Sequence, residues 1–68
     1  MPRYPNLAAE IAKRGIKKWA IAERIGISPR ALSNKLSGAS PFTLEEAFAI
    51  CRAFFPDVTI DTLFSTNP

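Results

Sequence analysis

The sequence has no histidine, a single cysteine and no long hydrophobic run. Without histidine, neither a Ser-His-Asp triad nor a Cys/His zinc-finger ligand set can form. Cys51 has no second cysteine for an internal disulfide, which favours a reducing, cytoplasmic setting. No apolar stretch approaches the roughly 20 residues that span a bilayer, and none resembles a signal peptide. We therefore expect no metal, no cofactor and no membrane contact.

The composition is that of a small globular domain. Of the 68 residues, 47% are hydrophobic and 22% are charged. A chain of this length buries only about 60% of the surface that its unfolded form exposes. We therefore expect residues 1–68 to form one domain, without room for an enzyme cleft or for a second, effector-binding or self-cleaving domain. A metal-dependent nuclease would need clustered carboxylates, whereas the acidic residues here stand at helix starts and in turns.

The charges divide the chain into a basic half and an acidic half. Residues 1–38 carry eight basic and two acidic side chains, a net charge of +6. Residues 39–68 carry one basic and four acidic side chains, a net charge of −3. This division indicates that one face of the protein meets a polyanion, such as a nucleic acid.

Glycines and capping residues predict where the first three of five short helices begin and end. The first helix is expected to run from an Asn6 cap to Gly15. The second is expected between Lys17 and Gly26. The third is expected to start at a Ser28 cap, with Pro29 in its first position, and to end at Gly38.

Two further helices are predicted in the acidic half. The segment from Thr43 to Glu46 reads as a capping box before an apolar run, and Phe55-Pro56 stops that helix. Thr59 is expected to cap a last short helix that runs to Phe64. Period-2 alternation is absent, so we expect no strands. The apolar positions of the fourth helix predict a wide buried stripe made of Leu44, Ala47, Phe48, Ile50, Cys51 and Phe54.

The second and third predicted helices form a helix-turn-helix unit at about residues 17–37. Ala22 is expected to be small because the third helix crosses the second there. Gly26 lets the chain reverse, Ile27 fills the core from the turn, and Ser28 caps the next helix. The third helix therefore stands on the surface with its outer face free.

From about Leu7 to Phe64 the chain resembles the phage repressor/Cro, or XRE-type, helix-turn-helix family. The resemblance implies an all-α fold, a compact five-helix bundle of the lambda-repressor-like type. It also implies binding to double-stranded DNA, usually as a homodimer on a two-fold operator. The matching segments are Gly15-Ile16, Ile21-Ala22, Ile25-Gly26-Ile27-Ser28, Leu32, Leu36-Ser37-Gly38, Thr43-Leu44-Glu45 and Val58-Thr59-Ile60-Asp61-Thr62-Leu63-Phe64.

Three positions depart from the family pattern. Lys18 stands where the family commonly has a glutamine that touches a phosphate. Pro29 stands where a polar residue often reads a base, and it offers only apolar contact. The link at residues 55–57 is longer than the usual glycine turn, which affects how the last helix docks.

The outer face of the third helix supplies the candidate base contacts. With Leu32 directed inward, Arg30 and Asn34 point roughly opposite, and Ser33 lies at the flank. Arg30 can donate two hydrogen bonds to guanine, and Asn34 can pair with adenine in the same way. Pro29 would touch a thymine methyl group. The alternative interpretation is that these side chains lie on a solvent-exposed helix face without a binding role.

The candidate phosphate contacts surround that helix. Lys17 and Lys18 stand at the start of the second helix, where backbone N–H groups already favour anions. The stem of Lys35 is expected to run along the apolar surface, with its amine reaching a phosphate. The remaining candidates, all flanking the third helix, are Ser28, Ser37 and Ser40.

The resulting hypothesis is a sequence-specific transcriptional regulator of repressor/Cro type that is not an enzyme and has no small-molecule substrate. The alternative is a protein-binding helical module, such as an antitoxin or adaptor, that uses the acidic, Phe-rich second half. Trp19 is expected at the flank of the core. Phe55 or Phe64, if exposed, would indicate a dimer patch.

Overall fold

The structure is a computed structural model that describes residues 3–66, so both ends of the predicted 1–68 domain lie outside the described residues. It confirms an all-helical chain, and no strand occurs in this range. The helices pack as a series of neighbours: the second lies against the third and fourth, and the fifth against the first and fourth. Their bounds are α1 Pro5–Arg14, α2 Lys18–Ile25, α3 Pro29–Ser37, α4 Leu44–Phe54 and α5 Ile60–Leu63.

The signals around the turn between α2 and α3 act as predicted. Gly26 adopts a left-handed conformation with φ of 73°, which only glycine takes up without strain. The Ser28 hydroxyl accepts a hydrogen bond from the backbone N–H of Ala31 at 3.1 Å. Pro29 is the first residue of α3. The direction of α3 is therefore fixed by its own first residues.

The predicted capping box at the start of α4 is also confirmed. The backbone N–H of Thr43 donates to Glu46 Oε1 at 2.9 Å, and that of Glu46 donates to Thr43 Oγ1 at 3.1 Å. At the other end, α4 stops at Phe55, before the proline. Thr59 caps α5 as expected, but the helix ends at Leu63, one residue earlier than predicted.

The predicted cap of α1 was wrong. The helix begins at Pro5, and Tyr4 occupies the cap position without a side-chain cap. Proline suits the first helical position because its φ is preset and it has no N–H to satisfy, so it moves the start ahead of Asn6. The Asn6 side chain instead donates to the carbonyl of Thr62 at 2.9 Å and ties α1 to α5.

The core lies where the five helices meet. Phe55 is fully buried, and Leu32, from α3, is 1% exposed. Ala22 is also 1% exposed, in keeping with the small residue expected at the crossing of α2 and α3. The other members of the buried cluster are Leu7, Ile11, Ile21, Ile50 and Leu63.

Three large side chains lie outside the core that the sequence predicted for them. Leu44 and Phe48 are 68% and 45% exposed, although both were placed in the buried stripe of α4. Ala47 and Ile50 are buried, whereas the flank of α4 that carries Leu44 and Phe48 is only partly covered by the rest of residues 3–66. Trp19 is 62% exposed and not a flank of the core.

Neither phenylalanine named as a dimer patch is exposed. Phe55 is inside the core, and Phe64 is partly buried. The Phe64 ring packs edge-on against Tyr4 and Phe42, with centroids 5.7 and 5.3 Å away. The exposed apolar surface of the second half lies on α4 instead.

Arg14 joins the end of α1 to the link between α4 and α5. Its guanidinium donates two 2.8 Å hydrogen bonds to Asp57 and one of 2.8 Å to Glu10, and it lies over the Phe55 ring. The hydrogen bonds from Arg14 hold the pKa of Asp57 below its usual value. Arg14 therefore holds the link at residues 55–57 against the end of α1.

We expect Phe55→Ala to lower the free energy of unfolding by about 3–5 kcal/mol, because it leaves a cavity in a small core. The matched control is Phe48→Ala, which should cost less than about 1 kcal/mol at low protein concentration. Urea denaturation of both variants measures the difference. Equal losses would mean that the burial of these two rings is not as described.

Candidate nucleic-acid interface

The outer face of α3 is open. Arg30, Ser33 and Asn34 are exposed, as is Pro29 at the start of the helix. The inward side is taken by Leu32, which leaves the opposite side without a neighbour. None of the four side chains makes a hydrogen bond or ion pair with another residue between 3 and 66. The predicted base-contact residues are thus brought together and are available.

The C-terminal turn of α3 is organised by the backbone carbonyl of Asn34. It accepts from the backbone N–H of Ala39 at 2.9 Å, from that of Ser40 at 3.3 Å and from the Ser37 hydroxyl at 3.0 Å. These bonds fix the main chain at Asn34 and leave its side-chain amide free. They also use the Ser37 hydroxyl proton, so Ser37 must rotate before it can donate to a phosphate.

Two lysines mark the start of α2. Lys17 is the cap residue, and its side chain makes no cap hydrogen bond. The first N–H groups of the helix are therefore not satisfied by a side chain. Lys17 and Lys18 are exposed, and no carboxylate among the described residues pairs with either. Two ammonium groups at a positive helix end form a surface that favours an anion.

Lys35 is held differently from these two lysines. Its amine lies 2.8 Å from the carbonyl oxygen of Pro41 and 3.1 Å from Glu46 Oε1, and its side chain is only 15% exposed. It also lies 5.9 Å from the centre of the Phe42 ring. The stem is buried as expected, but the amine faces the loop before α4. Lys35 therefore fastens α3 to the start of α4.

The carboxylate of Glu46 is shaped by this contact. Its partial burial raises the pKa, but the hydrogen bond from the Thr43 backbone and the nearby Lys35 ammonium outweigh that effect. The net result is a pKa below the usual value for glutamate. Glu46 is thus ionised at neutral pH, and its carboxylate binds both the Thr43 backbone N–H and the Lys35 ammonium.

The start of α2 and the end of α3 face a common groove. The groove has a volume of about 400 Å³, and Lys17, Lys18 and Leu36 contribute to its walls.

Ser28 is exposed, and its hydroxyl accepts a cap bond while keeping its proton for a donor role. Ser40 is half-buried, which makes it the less accessible of the two.

Arg3 is a further cation of this region that sequence reasoning did not single out. A Cβ placed on Gly38 would lie 3.2 Å from both Cγ and Cδ of Arg3, so the arginine stem runs over the end of α3. Gly38 has a φ of 90°, which favours glycine, and a side chain there would also displace the Arg3 stem by a few tenths of an ångström. Arg3 and Gly38 are 35 residues apart, so no local sequence pattern predicts their contact.

The described residues offer neither a metal centre nor a membrane-spanning helix. No group of three or more His, Cys, Asp or Glu within residues 3–66 could hold a metal ion. None of the helices that the structure describes is both long and apolar enough to cross a membrane.

Comparison with known proteins gives one match. A model of the Cro/C1-type helix-turn-helix DNA-binding domain matches residues 6–68, which is nearly the whole chain. No curated protein and no solved structure gives a match. The matched range contains α2, α3 and the lysines at the start of α2.

We expect Glu46→Gln to lower stability by about 1–2 kcal/mol at neutral pH, because the charged partner of Lys35 is lost. Since the pKa of Glu46 is lower in the folded than in the unfolded state, this stabilisation is present above about pH 4.5 and is lost as the pH falls further. The difference from the unmodified chain should therefore shrink in acid.

Chemical denaturation at neutral pH and near pH 3 measures this dependence. The matched control is Glu45→Gln, at the adjacent, exposed position of the same helix turn, where at most the helix-dipole contribution of about 0.3–1 kcal/mol is lost. A Glu46→Gln difference that stays constant across this pH range would contradict the assigned role of the carboxylate.

Proposed function

The chain belongs to the Cro/C1-type helix-turn-helix DNA-binding domain family, and on that premise we propose that it is a sequence-specific transcriptional regulator of repressor/Cro type. The observation that supports this most directly is the outer face of α3, where Arg30, Ser33 and Asn34 are exposed and have no partner in the described chain. A regulator of this kind works in the cytoplasm of a bacterium or of a phage-infected host.

In the proposed complex, α3 enters the major groove. Arg30 donates two hydrogen bonds to guanine, and the Asn34 amide pairs with adenine. Ser33 makes a less selective hydrogen bond, and Pro29 contacts a thymine methyl group. The fixed main chain at Asn34 supports this role, because an amide on an immobile turn loses less entropy when it binds.

The phosphate contacts come first from Lys17 and Lys18. Ser28 adds a hydroxyl donor that is still free while it caps α3. Ser37 and Ser40 remain in the proposed set at the other end of α3. Lys35 remains as well, but it must exchange its bonds to Pro41 and Glu46 for a phosphate, so we expect it to contribute least.

We further propose that the protein acts as a homodimer on a two-fold symmetric operator. A single nine-residue helix reads few base pairs, and two copies double the length of sequence that is read. Within the domain, regulation would then come from dimerisation, from competition for the operator or from protein turnover.

The alternative function, a protein-binding module, is favoured by one observation, the exposed Leu44 and Phe48 on α4. Charge reversal of Arg30 and Lys18 separates the two functions. It should abolish DNA binding, whereas a protein that binds at α4 should be little affected.

In vitro selection from a random duplex library should enrich a two-fold motif with half-sites about one helical turn apart. We expect Arg30→Ala and Asn34→Ala each to relax the preference at one position, with a loss of about 1–3 kcal/mol, because each removes a bidentate base contact. No enrichment, together with no binding at low salt, would refute the proposed function.

Removal of the α2 lysines should weaken binding to all duplexes alike. We expect Lys17→Ala and Lys18→Ala each to reduce the slope of log affinity against log salt by about 1, the effect of one lost phosphate contact. The control is Arg24→Ala, which removes the same charge from the other end of α2. The fluorescence of Trp19, next to Lys18 and the only tryptophan, can follow the titration. Equal slopes for all three variants would mean that the α2 start does not contact phosphate.

A further inference from the structure

Leu44 and Phe48 form an exposed apolar ridge on α4. They are four residues apart and so lie on one face of the helix, with 68% and 45% of their surface exposed. Large apolar side chains left in water cost free energy that burial would recover. Contiguous exposed apolar surface on a soluble domain is typical of a binding interface.

Two grooves adjoin this ridge, and both have Ile60 of α5 in their walls. One has a volume of about 520 Å³ and includes Leu44, Ala47 and Ile60 in its walls. The other has a volume of about 270 Å³ and includes Phe48, Arg52 and Ile60. Helices pack by inserting the ridge of one into the groove of another. One surface of the domain thus carries both an exposed apolar ridge and adjoining grooves.

The charges at the two ends of the ridge have opposite signs. Glu45 stands in the first turn of α4, and Arg52 stands in its last turn. Neither side chain forms an ion pair with a residue from 3 to 66. In two antiparallel copies related by a two-fold axis near Phe48, Arg52 of one copy meets Glu45 of the other. The neighbouring Asp61 makes the surface unsuited to a polyanion.

We propose that two copies of this chain pack with their α4 helices antiparallel, Phe48 near the two-fold axis and Arg52 of each copy paired with Glu45 of the other. This dimer rests on the proposed function in that it supplies the homodimer. A standard interface buries about 800 Å² on each partner, more than a two-residue ridge provides. The dimer is therefore weak and reversible in solution.

Sedimentation equilibrium over a wide concentration range tests the charge pairing. The unmodified chain should self-associate, and Arg52→Glu and Glu45→Arg should each raise the dimer Kd by about tenfold or more, because like charges then face each other. The double variant should recover most of the loss, since it restores opposite charges. The control Arg24→Glu makes the same charge change on α2 and should leave the Kd unchanged.

Disulfide capture tests the position of the axis. In a Cys51→Ser background, Phe48→Cys should cross-link two copies under mild oxidation, because residues on a two-fold axis meet their own counterparts. The control Ala9→Cys, on the exposed side of α1, should cross-link far more slowly.

Two results would overturn the proposal. One is self-association that ignores both charge reversals. The other is a chain that stays monomeric up to millimolar concentration and cross-links no faster at position 48 than at position 9, which would assign the ridge to a different protein. Neither assay contains DNA. A chain that dimerises as expected yet binds no duplex would thus refute the proposed function and leave the dimer standing. A monomer that binds a single half-site would refute the dimer and leave sequence-specific DNA binding standing.

Discussion

The attachment of α3 to the rest of the protein depends on Leu32. This side chain is 1% exposed and packs in the cluster that contains Ala22 of α2. A helix of nine residues has one narrow inward side, and here Leu32, with the half-buried Leu36, fills it. On the opposite side, the side chains of Arg30, Ser33 and Asn34 consequently make no hydrogen bond or ion pair with another residue between 3 and 66. The same packing that stabilises the domain thus determines which residues can face a ligand.

Ion pairs within the domain decide which of its cations remain available. Asp57 forms an ion pair with Arg14, and Glu46 forms one with Lys35. Two acidic residues of the second half thus neutralise two basic residues of the first. Lys17 has no such partner among the described residues. The positive charge that is free to meet a ligand is therefore smaller than the net charge of +6 on residues 1–38. What remains of it lies largely near α2 and α3.

Local signals in the sequence were sufficient to predict all five helices and the caps of α3, α4 and α5, although the start of α1 and the end of α5 differ from the prediction. Ser28 acts on the backbone three residues away, and the left-handed glycines act within a single turn, so their effects can be predicted without knowing the fold. Leu44 and Trp19 could not be placed in this way. Whether an apolar position is covered depends on which helix lies opposite it, and periodicity alone does not contain that information.

In the candidate site, too, features that depend on local sequence could be predicted, and features that depend on distant contacts could not. The exposed face of α3 could be predicted because it depends only on helix period and on Leu32. The position of Arg3 over Gly38 could not, since the contact joins residues far apart in the chain. Nor could the fate of the Lys35 amine, because its two partners lie in the loop before α4 and in the first turn of α4.

The first turn of α4 links the proposed reading helix to the proposed dimer ridge. Glu46 holds Lys35 of α3, while Leu44 in the same turn belongs to the ridge and Glu45 lies beside it. A second copy that packs against this turn therefore restrains the helix start on which α3 rests. If dimerisation is weak and each copy reads one half-site, occupancy of a two-fold operator depends on roughly the square of the monomer concentration. The proposed regulator would thus respond steeply to its own abundance, and the Lys35–Glu46 ion pair lies between its proposed dimer contact and its proposed DNA contact.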